Sequence, residues 1–151
     1  MKPPFSAEET KIKTLGKAKI KSPLSIADEI SVNQQILFHP YPGLEQTDPP
    51  VAFETSQPEK NIYFDPTKVT ACIVTCGGLC PGLNNVIRAV VMGLYHGYGV
   101  RSIFGIRYGL QGFIPEFGHP LIPLNPDVVS DIHEQGGTIL GSSRGAQPID
   151  E

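Results

Sequence analysis

The sequence predicts an α/β fold, a parallel sheet preceded by an irregular Pro-rich N-terminal extension, and three observations carry that prediction. Val69 to Cys76 (VTACIVTC) is a short, uncharged, β-branched run, the habit of a strand buried on both faces of a parallel sheet. It ends in a Gly-rich loop that opens into an apolar helical segment, Leu83 to His96, and a second strand-like run, Val100 to Ile106 (VRSIFGI), follows. That β-loop-α-β order is a right-handed crossover unit, which sets its two strands parallel. The third observation is compositional: nine of the 15 prolines lie in residues 1–66, whereas 14 of the 16 glycines lie from Gly77 onward.

The elements follow in chain order. Prolines at 3, 4, 23, 40, 42, 49, 50 and 58 each fix φ and remove a backbone donor, so long helices and central strands are not expected there. The exception is Ser25 to His39, where Ser25 can cap a short helix with Asp28 three residues on. Such an arm has too little apolar surface to fold alone and is expected to wrap a domain or stay mobile. Residues 1–66 are therefore assigned as an extension and residues 67–151 as the start of an α/β domain.

In the second part, the Leu83 to His96 helix carries only Arg88 as a charge, so it is expected to be largely buried against the sheet and to stop at Gly97 and Gly99. Asn125, Pro126 and Asp127 make a good helix start, with Gly136 or Gly137 as the stop. Thr138 to Gly145 (TILGSSRG) reads as a short strand giving way to a small-residue loop with one arginine. In parallel sheets ligands sit beyond the carboxyl ends of the strands, where both the Gly77 loop and Arg107 to Phe113 (RYGLQGF) fall.

A net charge of -3 gives no attraction to nucleic acid or an anionic membrane, and neither is expected as a partner. The one basic cluster, Lys11, Lys13, Lys17, Lys19 and Lys21, reads as a solvated face or tail, with a phosphate-binding or partner-binding arm as the alternative. Cys72 and Cys76 would share a strand face yet lie about 13 Å apart, too far for a bridge or a common ion. The three cysteines read as reduced thiols, two of them packed in a core. His39, His96, His119 and His133 lack ligand spacing. No apolar stretch reaches membrane-spanning length and no secretory hydrophobic region opens the chain, so a cytoplasmic location is expected.

The loop Gly77-Gly78-Leu79-Cys80-Pro81-Gly82-Leu83-Asn84 carries the chemistry. A helix N-terminus leaves backbone N–H groups unpaired and adds partial positive charge, so the loop suggests a phosphate. It is not a P-loop, because Leu83 and Asn84 stand where Lys and Ser/Thr are required. Nor is it a Rossmann fingerprint, because Gly77, Gly78 and Gly82 miss its spacing and Val100 to Gly112 lacks the ribose-binding acid. What remains is a Gly-Gly loop in which Gly78 removes a Cβ where a phosphate can approach, Pro81 stiffens the turn and Gly82 lets the helix start close to the strand. The alternative is a tight turn with no ligand. Gly141-Ser142-Ser143-Arg144-Gly145 offers a second wall, with a permanently charged guanidinium suited to phosphate oxygens.

CGGLCPGLNNVIR (Cys76 to Arg88), FGIRYGLQGF (Phe104 to Phe113) and GGTILGSSRG (Gly136 to Gly145) together resemble the start of the 6-phosphofructokinases. The nearest branch is the one shared by plant enzymes and several bacteria, whose glycine loop reads GGLCPGLN. Lys19 to Leu24 (KIKSPL) and Asn61 to Val69 (NIYFDPTKV) resemble that branch's N-terminal extension, although the likeness is strongest from Tyr63 to Gly145. The resemblance implies a partial doubly wound parallel sheet, with Gly78, Arg144 and Gly145 at the phosphates of ATP. It also implies transfer of the γ-phosphoryl of ATP to fructose 6-phosphate with Mg²⁺, in a glycolytic, allosteric, homo-oligomeric enzyme. The family's Mg²⁺ loop and catalytic base would lie beyond Glu151, so no catalytic residue and no metal ligand is assigned and the 151-residue chain alone is expected to be inactive. Leu79 stands where many members carry Asp, and Leu110 where an aromatic often packs near the nucleotide. A pyrophosphate-dependent enzyme of the same family and a non-catalytic nucleotide-binding fragment are the alternatives.

Overall fold

Prolines keep the N-terminal elements short. The computed structural model describes residues 4–29, 35–38, 45, 47 and 49–144; His39 and Gly145 lie outside them, as does part of the segment read as carrying a Ser25-capped helix. The chain divides into two compact units, Met1–Tyr63 and Phe64–Glu151.

In the first unit β1 (Ile20–Lys21) and β4 (Asn61–Ile62) pair antiparallel, as do β2 (Gln35–Leu37) and β3 (Ala52–Glu54). The short helix expected after Ser25 is a single turn, α1 (Ile26–Glu29), and Gln35–Leu37 of the same segment is strand. Ala27 and Val51 are buried, and Phe5, Phe38 and Phe53 form an edge-to-face trio with centroids 4.8, 5.5 and 6.1 Å apart. The described residues of the first unit thus carry two antiparallel strand pairs, more order than the proline content suggested.

The second unit opens on a turn in which Asp65 Oδ1 accepts from the Thr67 hydroxyl at 2.7 Å and the Thr67 N–H at 3.0 Å. The Thr67 side-chain bond, then its backbone bond, hold the Asp65 carboxyl below its usual pKa. The turn delivers the chain into β5 (Thr70–Val74), which pairs parallel with β6 (Ser102–Ile106) in the register Thr70 to Ser102 through Val74 to Ile106. Between them lies α2 (Leu83–Met92), continued by a π-helical turn, Gly93–Tyr98, and closed by Gly99 at φ 75°. Gly97 therefore lies inside the helical stretch and only Gly99 ends it.

The third strand, β7 (Ile122–Pro123), runs antiparallel to β6 at the edge of the order β5-β6-β7, so the sheet is mixed rather than purely parallel. A parallel return needs a long crossover. Here two 3-10 turns, Gly109–Phe113 and Pro115–Phe117, fold the chain straight back along β6. An edge position accommodates Pro123, which has no ladder donor.

Two further expectations are corrected. The segment after Asn125 is no α-helix: Asn125 Oδ1 accepts from the Val128 N–H at 2.9 Å, but only a 3-10 turn, Ile132–Glu134, follows. Arg88 Nε donates to the Ser130 carbonyl at 3.2 Å, and the Glu134 N–H bonds to the Asp131 carbonyl, the i to i−3 pattern of a 3-10 turn. Thr138 to Arg144 is not a strand, because Gly141 sits at φ 69° and side-chain hydroxyls replace ladder bonds.

The core lies between one sheet face and α2. Ile87 and Val91 of α2 meet Ile103, Val100, Leu124, Val129, Ile132 and Leu140. Gly105 leaves the room that Leu140 fills, since a Cβ there would stand 2.3 Å from Leu140 Cδ2. Val86 is 61% and Val90 41% exposed, so α2 buries one stripe rather than most of its surface. On the other sheet face Thr70, Cys72 and Val74 are exposed, which corrects the expectation of a strand covered on both sides. Cys72, Cys76 and Cys80 are all free and exposed, and none packs in a core.

Candidate functional site

Because β5 and β6 are parallel and in register, their carboxyl ends emerge side by side, at Val74 and Ile106. The Thr75 to Gly82 loop leaves the first, Arg107 to Phe113 leaves the second, and the Gly141 to Arg144 segment is tied to both.

Thr75 donates its hydroxyl to the Gly141 carbonyl at 2.7 Å. With that proton committed, the Thr138 hydroxyl is the donor in its 3.0 Å bond to Thr75, while it accepts the Leu140 N–H at 3.2 Å. Ser142 Oγ donates to the Gly77 carbonyl at 2.6 Å, and the Gly77 N–H returns a bond to the Ser143 carbonyl at 3.0 Å. The Tyr108 N–H donates to the Leu140 carbonyl at 2.9 Å. On the opposite side Asn84, 2% exposed, accepts the Ile139 N–H at 2.8 Å and donates to the Gln135 carbonyl at 3.0 Å.

The stitched loops bring Gly78 and Arg144 together. A Cβ on Gly78 would stand 2.6 Å from Arg144 Nη2 and 3.3 Å from Cζ, so the guanidinium lies directly over the bare glycine backbone. Gly82, at φ 88° and ψ 2°, caps α2 in a left-handed conformation open to glycine, and no side chain caps the helix start. The uncapped first-turn N–H groups of this ten-residue helix thus follow the loop whose Gly78 lies under a fixed positive charge. The sequence carries no Asp or Glu from residue 66 to 115 or from 135 to 149, so these loops hold no acid to compete with an anion. Among the described residues Arg144 has no carboxylate partner, and no group of three or more His, Cys, Asp and Glu side chains gathers to hold a metal. No step through Mg²⁺ is assigned to these residues.

A glycine-to-alanine change at 78 would push only the end of a flexible, exposed side chain. Gly78→Ala is therefore expected to leave stability within about 0.5 kcal/mol while displacing the guanidinium. The check is a melting curve beside a titration with an anionic ligand; equal affinity in both proteins would show that the cradle is not a binding surface.

Several site residues escaped the sequence reading. Thr75, Ser142 and Asn84 tie the loops by side chains whose partners lie 51 to 66 residues away, a separation no local pattern shows. Tyr108, at φ 56° and ψ 41°, is the one non-glycine among the described residues in the left-handed region, at a cost of about 1–2 kcal/mol.

The family model described as phosphofructokinase matches residues 70–151, more than half of the chain. This chain belongs to the phosphofructokinase family. Among its relatives, the ATP-dependent 6-phosphofructokinase of Borreliella burgdorferi is 47% identical over 150 residues, covering 93% of this chain and 34% of the relative. The ATP-dependent 6-phosphofructokinase of Amycolatopsis methanolica is 56% identical over 100 residues, covering 66% of this chain and 22% of the relative. ATP-dependent 6-phosphofructokinase 7 of Arabidopsis thaliana is 55% identical over 95 residues, covering 63% of this chain and 19% of the relative. The chain thus spans about a third or less of the length of these curated relatives, which include bacterial and plant proteins. A 93% match necessarily reaches into the unit before residue 64, so the N-terminal elements share the relationship. Among the described residues no helix is long and apolar enough to cross a membrane.

Proposed function

We propose that this chain is the N-terminal portion of an ATP-dependent 6-phosphofructokinase, which phosphorylates fructose 6-phosphate to fructose 1,6-bisphosphate in glycolysis. The observation that carries the reading is the Arg144 guanidinium set over Gly78, in the acid-free loop that leads to the uncapped start of α2. In this reading Gly78 lets a phosphate approach the backbone, and Arg144 and Gly145 form the adjoining wall. Arg144 offsets negative charge on the phosphate chain and orients it, a matter of positioning and electrostatics that needs no covalent step.

The names of the relatives favour ATP as donor. Residues 1–66 act as an extension and residues 67–151 as the first part of the nucleotide-binding domain. Mg²⁺, a cytoplasmic location, oligomeric assembly and allosteric control follow from the family resemblance and belong to the full-length enzyme. The test is phosphorylation of fructose 6-phosphate by the full-length protein with ATP or pyrophosphate. Turnover with ATP, and none from the 151-residue chain alone, is the expected result. Turnover with pyrophosphate only would reassign the donor, and turnover with neither would leave a non-catalytic nucleotide-binding protein.

A further inference from the structure

We propose that Tyr108, anchored by Arg107, is the positioning residue that sets Arg144 for the phosphate chain; this inference rests on the nucleotide reading of the site. Tyr108 follows β6 and keeps a left-handed backbone that its side chain disfavours. Strain of that kind persists only where the surroundings over-determine it.

Three contacts do so. Its N–H is held by the Leu140 carbonyl at 2.9 Å. Its ring fills the place where Gly141 lacks a side chain, for a Cβ there would meet Tyr108 Cδ1 at 2.7 Å and Cε1 at 2.8 Å. Its hydroxyl accepts from Arg107 Nη2 at 3.1 Å, with the guanidinium carbon 4.9 Å from the ring centroid and the His119 ring at 4.6 Å. Arg107 Nε is buried and makes no hydrogen bond, so the side-chain bond that holds this guanidinium among the described residues is the one to Tyr108.

The ring therefore presses on Gly141, the first residue of the segment that ends in Arg144. From Gly141 the chain is pinned step by step to the glycine loop: the Gly141 carbonyl to Thr75, Ser142 to Gly77, the Ser143 carbonyl to Gly77 N–H. Gly109 keeps the same passage open, since a Cβ on it would stand 2.8 Å from Ser143 Oγ. With the ring removed, Gly141 regains freedom, the segment loosens, and the guanidinium no longer stays over Gly78. Arg144 makes the contact with ligand; Tyr108 acts through it.

The experiment measures ATP affinity of the full-length protein by calorimetric titration, with melting temperatures as the control. Tyr108→Gly suits the backbone and deletes the ring, so, measured well below the variant's own melting temperature, the Kd for ATP should rise about tenfold, near the effect of removing one charge-assisted phosphate contact. Tyr108→Phe, which keeps the ring and loses the Arg107 bond, should fall between the two. Tyr108→Asn, also tolerant of left-handed backbone, replaces the glycine variant where that one does not fold. In an Arg144→Ala background the Tyr108→Gly change should alter Kd by less than about twofold, because coupled residues are not additive. Equal losses in both backgrounds, or no loss in either, would overturn the positioning role while leaving the nucleotide reading intact. A parent protein that fails to bind ATP, or that binds it equally well as Arg144→Ala, would overturn both.

Discussion

Arg144→Ala is expected to weaken ATP binding by about 10- to 100-fold and to lower turnover of the full-length enzyme, with little change in melting temperature. The size follows from the interaction removed. A hydrogen bond between a guanidinium and a phosphate contributes about 1.5–3 kcal/mol, and every 1.4 kcal/mol is a factor of ten in affinity. The stability statement follows from exposure: the Arg144 side chain lies on the surface, has no carboxylate partner among the described residues, and covers only the bare face of Gly78. Surface substitutions of that kind stay within about 0.5 kcal/mol. Arg144→Lys should recover part of the loss, because an ammonium keeps the charge but not the planar fork. Titration of the two variants and steady-state kinetics make the check, and unchanged affinity in both would place the phosphate site elsewhere.

The second large effect is on stability. Asn84→Leu is expected to destabilise the second unit by about 2–3 kcal/mol, because the Asn84 amide serves two backbone groups that leucine cannot. Its Oδ1 accepts the Ile139 N–H at 2.8 Å and its Nδ2 donates to the Gln135 carbonyl at 3.0 Å, an arrangement that fixes which end of the amide is oxygen. Both partners lie on the stretch that leads into the Arg144 loop, so the loss should loosen the site as well as the fold. At 2% exposure water has no ready access to replace the side chain. A fall in melting temperature together with weaker ATP binding is the expected pair of readings. An unchanged melting curve would show that the amide bridge is dispensable.

The sequence made the βαβ unit legible because its signals are local. β-branched residues in Val69 to Cys76, a glycine loop, and apolar residues at helical spacing after Leu83 report their own backbone states, and β5, α2 and β6 form where they were expected. Asn125 also shows its capping habit in the bond to the Val128 N–H. The helix expected after it gives way to a 3-10 turn, in a stretch whose Ser130 carbonyl is bonded by Arg88 from α2 and whose Val129 and Ile132 pack into the core. The strand expected at Thr138 does not form either, and Thr75 and Gly77 bond Gly141, Ser142 and Ser143 of that stretch where a ladder would have paired them.

By itself, then, the sequence determined which residues are strand, turn and helix in the crossover unit, that the glycine loop is neither a P-loop nor a Rossmann fingerprint, and which family the motifs resemble. Those properties rest on spacings of a few residues and on residue chemistry that no neighbour alters. The tertiary structure decided the direction of β7, the exposure of Cys72, Cys76 and Cys80, and the meeting of Gly78 with Arg144 across 66 residues of chain. It also decided that Tyr108 would hold a left-handed backbone against Gly141. Each of these depends on where a second segment packs, and packing between distant segments leaves no periodic mark in a single sequence.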